Sequence, residues 1–296
     1  MTAAVYAFER DWAPAWRLAG ELGLGLRAVK LRNFPDGESL PNVGDCPSNV
    51  LFYCSLDRPD AKLMSMLLAA DALRRAGAKR LVLVVPYLPY MRQDAVFEPG
   101  EPLSRDVLGG LLGARFERIV TVEPHLHRTH DLTAVFGGTP VTALSAAPVL
   151  AARIRGDEPP LVVGPDAESD AWTAAVASCL GASHLTLQKV RRGDRDVTLT
   201  LPTEAEVRGR NVVLVDDICS TGATLAGAVR KVCEAGAASV DVLVVHALFQ
   251  PRVGVTLRRL GARSLMSTDS CAHPSNAIHL APLIASALRE ELVPCP

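Results

Sequence analysis

Short, mostly apolar, β-forming runs recur along the chain: VLFYC (50–54), LVLVVPY (81–87), RIVTVE (118–123), LVVG (161–164), VVLV (212–215) and VDVLVVHALF (240–249). Amphipathic or Ala-rich helical patterns alternate with them, at 60–76, 103–114, 168–181, 222–235 and 280–290. A strand with one wet face alternates apolar and polar residues, whereas a strand covered on both faces need not. The near-continuous runs therefore predict an α/β fold of mainly parallel sheet flanked by helices.

At about 100–200 residues per domain, a chain of 296 residues with 49% hydrophobic content divides into two. An internal echo supports the division. AGAKRLVLVV (76–85) followed by LGARFERIVTVEPH (112–125) resembles AGAASVDVLVV (235–245) followed by LGARSLMSTDS (260–270). The interval from Gly77 to Gly113 is longer than that from Gly236 to Gly261, so the first copy carries an insertion. The polar, Pro- and Gly-rich YMRQDAVFEPGEP (90–102) is the segment that supplies it. Two tandem α/β domains are expected, 1–146 and 147–296, with the boundary near the Ser-Ala-Ala-Pro of 145–148.

Charge narrows the function by exclusion. Lys plus Arg (31) balance Asp plus Glu (32), so no overall field draws in nucleic acid or an anionic membrane, and any phosphate site must be local. The seven cysteines are odd in number and never spaced Cys-x-x-Cys, which argues against a disulfide framework and a zinc module. No run of about 18 apolar residues occurs. A soluble, cytoplasmic protein is expected.

The most specific segment is RNVVLVDDICSTGATLAGAV (210–229). Four apolar strand residues end in Asp216 and Asp217, and a small loop through Ser220, Thr221, Gly222, Ala223 and Thr224 opens a helix. Free backbone N–H groups and the positive end of a helix dipole make an anion site. The hydroxyls of Ser220, Thr221 and Thr224 add donors, and Gly222 lets the backbone close on the anion. Two acids would repel a phosphate, but vicinal hydroxyls are natural donors to a carboxylate. A sugar phosphate satisfies both halves. A nucleotide P-loop would need Gly-Lys-Ser/Thr, which is absent here.

VVLVDDICSTGATL resembles the phosphoribosyl diphosphate (PRPP) motif shared by type I phosphoribosyltransferases and PRPP synthetases. The resemblance implies that both domains take the type I phosphoribosyltransferase fold and that 216–217 and 220–224 bind ribose 5-phosphate. Four further segments resemble the synthetases specifically. NFPDGES (33–39) and YMRQDAVFEPGEP (90–102) are similar to the family's ATP-contacting stretches. By that resemblance Phe34 stacks on adenine, Asp36, Gly37 and Glu38 hold the nucleotide, and Arg92 and Gln93 bind it from a flap. TVEPHLH (121–127) resembles a strand ending in Asp-Leu-His, which places His125 beside ATP and its magnesium. VVGPDAESD (162–170) resembles a Ser-Pro-Asp loop, making Asp166 a magnesium ligand. Hard cations prefer oxygen, so Asp166 is the more natural ligand, and His125 could instead meet phosphate.

LQKVRRGDRD (187–196) is similar to the family's catalytic loop, in which Lys189 and Arg191 take the Lys-x-Arg places. Alternate residues of an extended chain point to one side. The chain departs from the family pattern at Glu123-Pro124 (for Asp-Leu), Ser220 (for Asp) and Ala167-Glu168-Ser169 (for a Gly pair). Its F-E-P-G-E-P run is closer to archaeal, third-class members.

The implied activity is transfer of diphosphate from MgATP to C1 of ribose 5-phosphate by a homo-oligomer. Three other readings fit the residues less well. A non-catalytic homologue should have lost Lys189, Arg191, His125 and Asp166, all of which are present. A nucleobase phosphoribosyltransferase offers no reason for the segments at 33–39 and 90–102. A metallohydrolase built on HLHRTH (125–130) would need Asp where Thr129 stands. GLGLRA (23–28) matches a dinucleotide fingerprint but precedes its strand, AVKL (28–31), rather than following one.

Overall fold

The computed structural model describes residues 3–126, 131–156, 158–191 and 197–292, except for the side chains of 189–191, 197–199 and 292. The chain divides into two compact units, Met1–Leu144 with Leu280–Pro296, and Ser145–His279.

In the first unit the strands are β1 (Ala3–Phe8), β2 (Gly25–Asn33), β3 (Ser39–Asn42), β4 (Asn49–Tyr53), β5 (Arg80–Val84), β6 (Arg118–Val122) and β7 (Val141–Leu144). They form one sheet in the order β3-β2-β1-β4-β5-β6-β7. Only β2 and β3 pair antiparallel among them, as a hairpin. Helices α1 (Trp12–Leu22), α2 (Pro59–Arg75), α3 (Ser104–Gly113) and the single turn α4 (Leu132–Val135) make the connections. Strands β4, β5 and β6 each open on a partly exposed polar residue and then bury four in succession, which is the pattern of a sheet covered on both faces.

The second unit begins with α5 (Ala147–Ala151), β8 (Leu161–Gly164), α6 (Asp170–Leu180) and β9 (His184–Thr186). A hairpin of β10 (Gln188–Arg191) and β11 (Val197–Thr200) follows. Then come β12 (Asn211–Cys219), α7 (Ala223–Glu234), β13 (Ser239–Ala247), α8 (Arg252–Arg259), β14 (Ser264–Thr268) and β15 (Asn276–Ile278). The sheet order is β15-β14-β13-β12-β8-β9, parallel throughout.

The echo in the sequence corresponds to β5-α3-β6 and β13-α8-β14, each an adjacent parallel strand pair around a helix. The insertion in the first copy lies between β5 and α3. A difference from the sequence reading appears near the end of the described residues, where α9 (Ala281–Leu288) and residues 289–292 pack with the first unit. Glu291 explains this. Its buried carboxylate accepts from Arg80 Nε at 2.5 Å and Arg118 Nη1 at 2.8 Å, the first residues of β5 and β6, and Arg118 also donates to the Ala287 carbonyl at 3.2 Å.

Both sheets contain a switch point, where the chain leaves two neighbouring strands in opposite directions: β1 and β4 in the first, β8 and β12 in the second. In open α/β sheets the crevice outside the carboxyl ends of such strands receives ligands.

Candidate active site

The second unit places its chemistry at that crevice. Strand β12 continues through both acids, its register with β13 running from Asn211↔Ser239 to Cys219↔Ala247. The strand thus carries Asp216 and Asp217 to the carboxyl edge. Beside it β8 ends at Gly164, and Pro165-Asp166 follows directly. Burial, foremost, and then the charges of Asp217 and Asp166 hold the Asp216 carboxyl well above the usual carboxylate range. An adjacent acid pair and a third carboxylate far away in sequence therefore share one field. Asp217 turns back on its own strand and accepts the Ile218 N–H at 2.7 Å.

The loop after β12 leaves Ser220 and Thr221 exposed, and Thr221 Oγ1 accepts the Ala223 N–H at 3.3 Å. Gly222 is the left-handed N-cap of α7, with φ 78°. A Cβ there would also lie 2.2 Å from Val253 Cγ1, so glycine is required twice over. Val253 comes from α8, and nothing in the local sequence announces that contact. The first turn of α7 holds no acid to compete with a bound anion.

Lys189 and Arg191 lie on β10, opposite Leu199 and Val197 of β11. Their side chains, and all of 192–196, fall outside the described residues, as do His127, Thr129 and His130.

In the first unit, Phe34, Asp36, Gly37 and Glu38 form the tight turn of the β2–β3 hairpin. The Phe34 N–H donates to the Glu38 carbonyl at 2.8 Å, and the Glu38 N–H to Asp36 Oδ1 at 3.1 Å. Gly37 takes φ 93°, and the Arg32 guanidinium lies 4.7 Å from the centre of the Phe34 ring. Arg92 and Gln93 are exposed, in the segment between β5 and α3. The Gln93 carbonyl accepts the Arg105 N–H at 3.4 Å, which ties it to the start of α3. His125 follows β6, and both Glu123 (φ 39°) and His125 (φ 21°) are left-handed without being glycine. Such conformations cost of order 1–3 kcal/mol each and cluster at functional sites.

All these groups lie on the carboxyl edge of one sheet, but at different stations along it. By strand order β2 and β5 are three places apart, or roughly 14 Å at about 4.8 Å per strand. The fold thus brings His125 and the 90–102 segment to neighbouring strands and leaves the Phe34 turn at the other side.

Among the described residues, no group of three or more His, Cys, Asp or Glu side chains is arranged to hold a metal alone. Magnesium rarely needs one, since it commonly binds one or two carboxylates and completes its shell with water and substrate phosphates. The hard oxygen donors of Asp216 and Asp166, which share one electrostatic field, fit that chemistry. No helix among the described residues is long and apolar enough to cross a membrane.

Comparison with known proteins agrees with this arrangement. Residues 6–115 match the model of the N-terminal domain of ribose phosphate pyrophosphokinase, and 143–254 match the phosphoribosyl transferase domain. The chain is 33% identical over 278 residues to a ribose-phosphate pyrophosphokinase of Methanopyrus kandleri, covering 92% of this chain and 94% of that one. It is 33% identical over 275 residues to one of Halobacterium salinarum, covering 92% and 95%. A crystal structure of phosphoribosylpyrophosphate synthetase from Mycobacterium smegmatis superposes with a TM-score of 0.83 at 28% identity, covering 99% of each chain. The chain belongs to the ribose-phosphate pyrophosphokinase family.

Proposed function

We propose that the protein transfers the diphosphate of MgATP to C1 of ribose 5-phosphate, giving PRPP and AMP. One observation carries this reading: an acid pair and an anion loop at the β8/β12 switch point, in a chain of this family. The C1 hydroxyl oxygen gives up its proton to solvent and bonds to the β-phosphorus of ATP, the bond from that phosphorus to the oxygen bridging to the α-phosphorus breaks, and AMP leaves with that oxygen. Asp216 and Asp217 accept the ribose hydroxyls, and 220–224 hold the 5-phosphate. Lys189 and Arg191 stabilise negative charge on the transferring group. Positioning and electrostatics supply most of the catalysis in such transfers. Phe34, Asp36, Gly37, Glu38, Arg92 and Gln93 bind ATP. Magnesium neutralises the phosphates when bound, and Asp166, with His125, would hold it.

The protein acts as a homo-oligomer in this proposal, because the two groups of ATP residues sit at different stations of one sheet. A cytoplasmic setting suits the described cysteines, which are free thiols. The test is incubation with MgATP and ribose 5-phosphate and identification of the products by mass spectrometry. AMP and PRPP, dependent on both substrates, are expected. ADP, or no turnover across metals and phosphate concentrations, would overturn the reading.

A further inference from the structure

Where the family pattern has a Gly pair after the Ser-Pro-Asp loop, this chain has Ala167-Glu168-Ser169, and the structure gives the serine a task. Ser169 is buried, and its Oγ donates to the Asp166 carbonyl at 2.6 Å while standing 3.4 Å from the Asp166 N–H. Asp166 and Ser169 also close a capping box around a single 3-10 turn, in which the Ser169 hydroxyl accepts the Asp166 N–H and the Asp166 side chain accepts the Ser169 N–H. Thr173, wholly buried one turn along α6, donates through Oγ1 to the Ser169 carbonyl at 2.7 Å. Both hydroxyls press on the end of β8. A Cβ on Gly164 would lie 2.4 Å from Ser169 Oγ and 2.4 Å from Thr173 Oγ1. A line of contacts thus runs from α6 through Thr173 and Ser169 to the backbone of Asp166. Ala167 and Glu168 are exposed, so the substitution of the glycines leaves only Ser169 turned inward.

We infer that Ser169 and Thr173 are positioning residues that fix the Asp166 carboxylate for divalent-cation binding at the β8/β12 switch point. The inference rests on the proposed role of Asp166. Glycines would leave the turn free among many backbone conformations, whereas the hydroxyl bonds select one. Magnesium demands near-ideal geometry from few protein ligands, so a carboxylate held in one place binds it better than one that wanders. Asp166 already contributes to the field that raises Asp216, which places the two carboxyls within electrostatic reach across the crevice. A plain helix cap would affect stability and nothing else.

The test uses Ser169→Ala, Ser169→Thr and Thr173→Val in the full chain. Mn2+ binding is followed by electron paramagnetic resonance without turnover, beside the Mg2+ dependence of the rate, the ribose 5-phosphate KM and the Tm. Ser169→Ala should weaken Mn2+ binding about 10-fold and raise the Mg2+ needed for half-maximal rate in proportion, as loss of an outer-shell partner does. Ribose 5-phosphate KM should stay within about 2-fold, since the 220–224 loop is untouched. Ser169→Thr should restore binding, and Thr173→Val should show the same defect more weakly. A lowered Tm with unchanged Mn2+ binding and Mg2+ profile would reduce Ser169 to a cap and overturn the inference. If Ser169→Ala does not fold, Thr173→Val decides by the same readouts. If the native protein forms no PRPP, the functional reading fails, and Mn2+ binding alone judges the positioning.

Discussion

Gly222 and Asp216 show how much a single residue of the anion crevice must satisfy. Gly222 holds φ 78°, a conformation costing a side chain roughly 1–2 kcal/mol, and faces Val253 across a gap too small for a methyl group. Gly222→Ala should therefore weaken ribose 5-phosphate binding by about 10-fold or more, read by calorimetry, with a smaller change in kcat, because the loop binds without reacting. Asp216 carries the opposite conflict, in which function keeps a group that the fold would rather lose. Its carboxyl is raised by burial and by Asp217 and Asp166, so the folded state holds the proton more tightly than the unfolded state. Stability is then lost as pH rises from the ordinary carboxylate range toward the raised folded value, because the unfolded chain gives up this proton first. Asp216→Asn should raise the Tm of the ligand-free protein near neutral pH and leave it almost unchanged near pH 4, by scanning calorimetry. The same variant should bind ribose 5-phosphate about 10- to 100-fold more weakly, having lost a carboxyl oxygen that accepts from the ribose hydroxyls.

The elements differ in how openly the sequence declares them, and α9 is the instructive case. Its helical pattern is plain in the sequence, but its destination is not, because that depends on Glu291 meeting Arg80 and Arg118 from strands far back in the chain. Those arginines hold the Glu291 carboxyl below the usual range, Arg80 foremost. The pair therefore stabilises the fold above the unfolded carboxylate value of about 4.3, and that contribution disappears as pH falls through the depressed folded value. Glu291→Ala, which strands the largely buried Arg118, should cost about 3 kcal/mol in urea unfolding at neutral pH and flatten the acid limb of the stability curve. Strands β4, β5, β6, β8, β12 and β13 were legible because burial on both faces leaves an apolar run. The outer strands β3, β7 and β15 carry no such run, since their burial is mixed over three or four residues. The acid pair and anion loop were legible for a related reason: they are contiguous, so one strand end and one helix start specify them. The approach of Asp166 to Asp216 was not, because strand order rather than local spacing makes β8 and β12 neighbours. Nor could Ser169 be read, since a serine in a turn looks the same whether it faces solvent or the backbone of Asp166.

At the scale of the molecule, the separation of the residues proposed to bind ATP becomes a question about copies. Phe34 sits on the β2–β3 turn, while Gln93 is tied to the start of α3 and His125 follows β6, three and four strands away from β2. A single nucleotide reached by Phe34 of one copy and Arg92 of another would make each site a shared product of two chains, which a closed symmetric oligomer supplies naturally. Mixing distinguishes this from a site complete in one chain. Phe34→Ala and Arg92→Ala should each abolish most of the activity when alone. After the two are co-refolded in equal amounts, a shared site draws Phe34 from one chain and Arg92 from a neighbour, each intact half the time, so about a quarter of native activity should return. A site built within one chain would recover nothing, because every chain carries one lesion. Measured as PRPP formed per total subunit, recovery near a quarter supports sites shared between copies, and no recovery assigns Phe34 and Arg92 to the same chain.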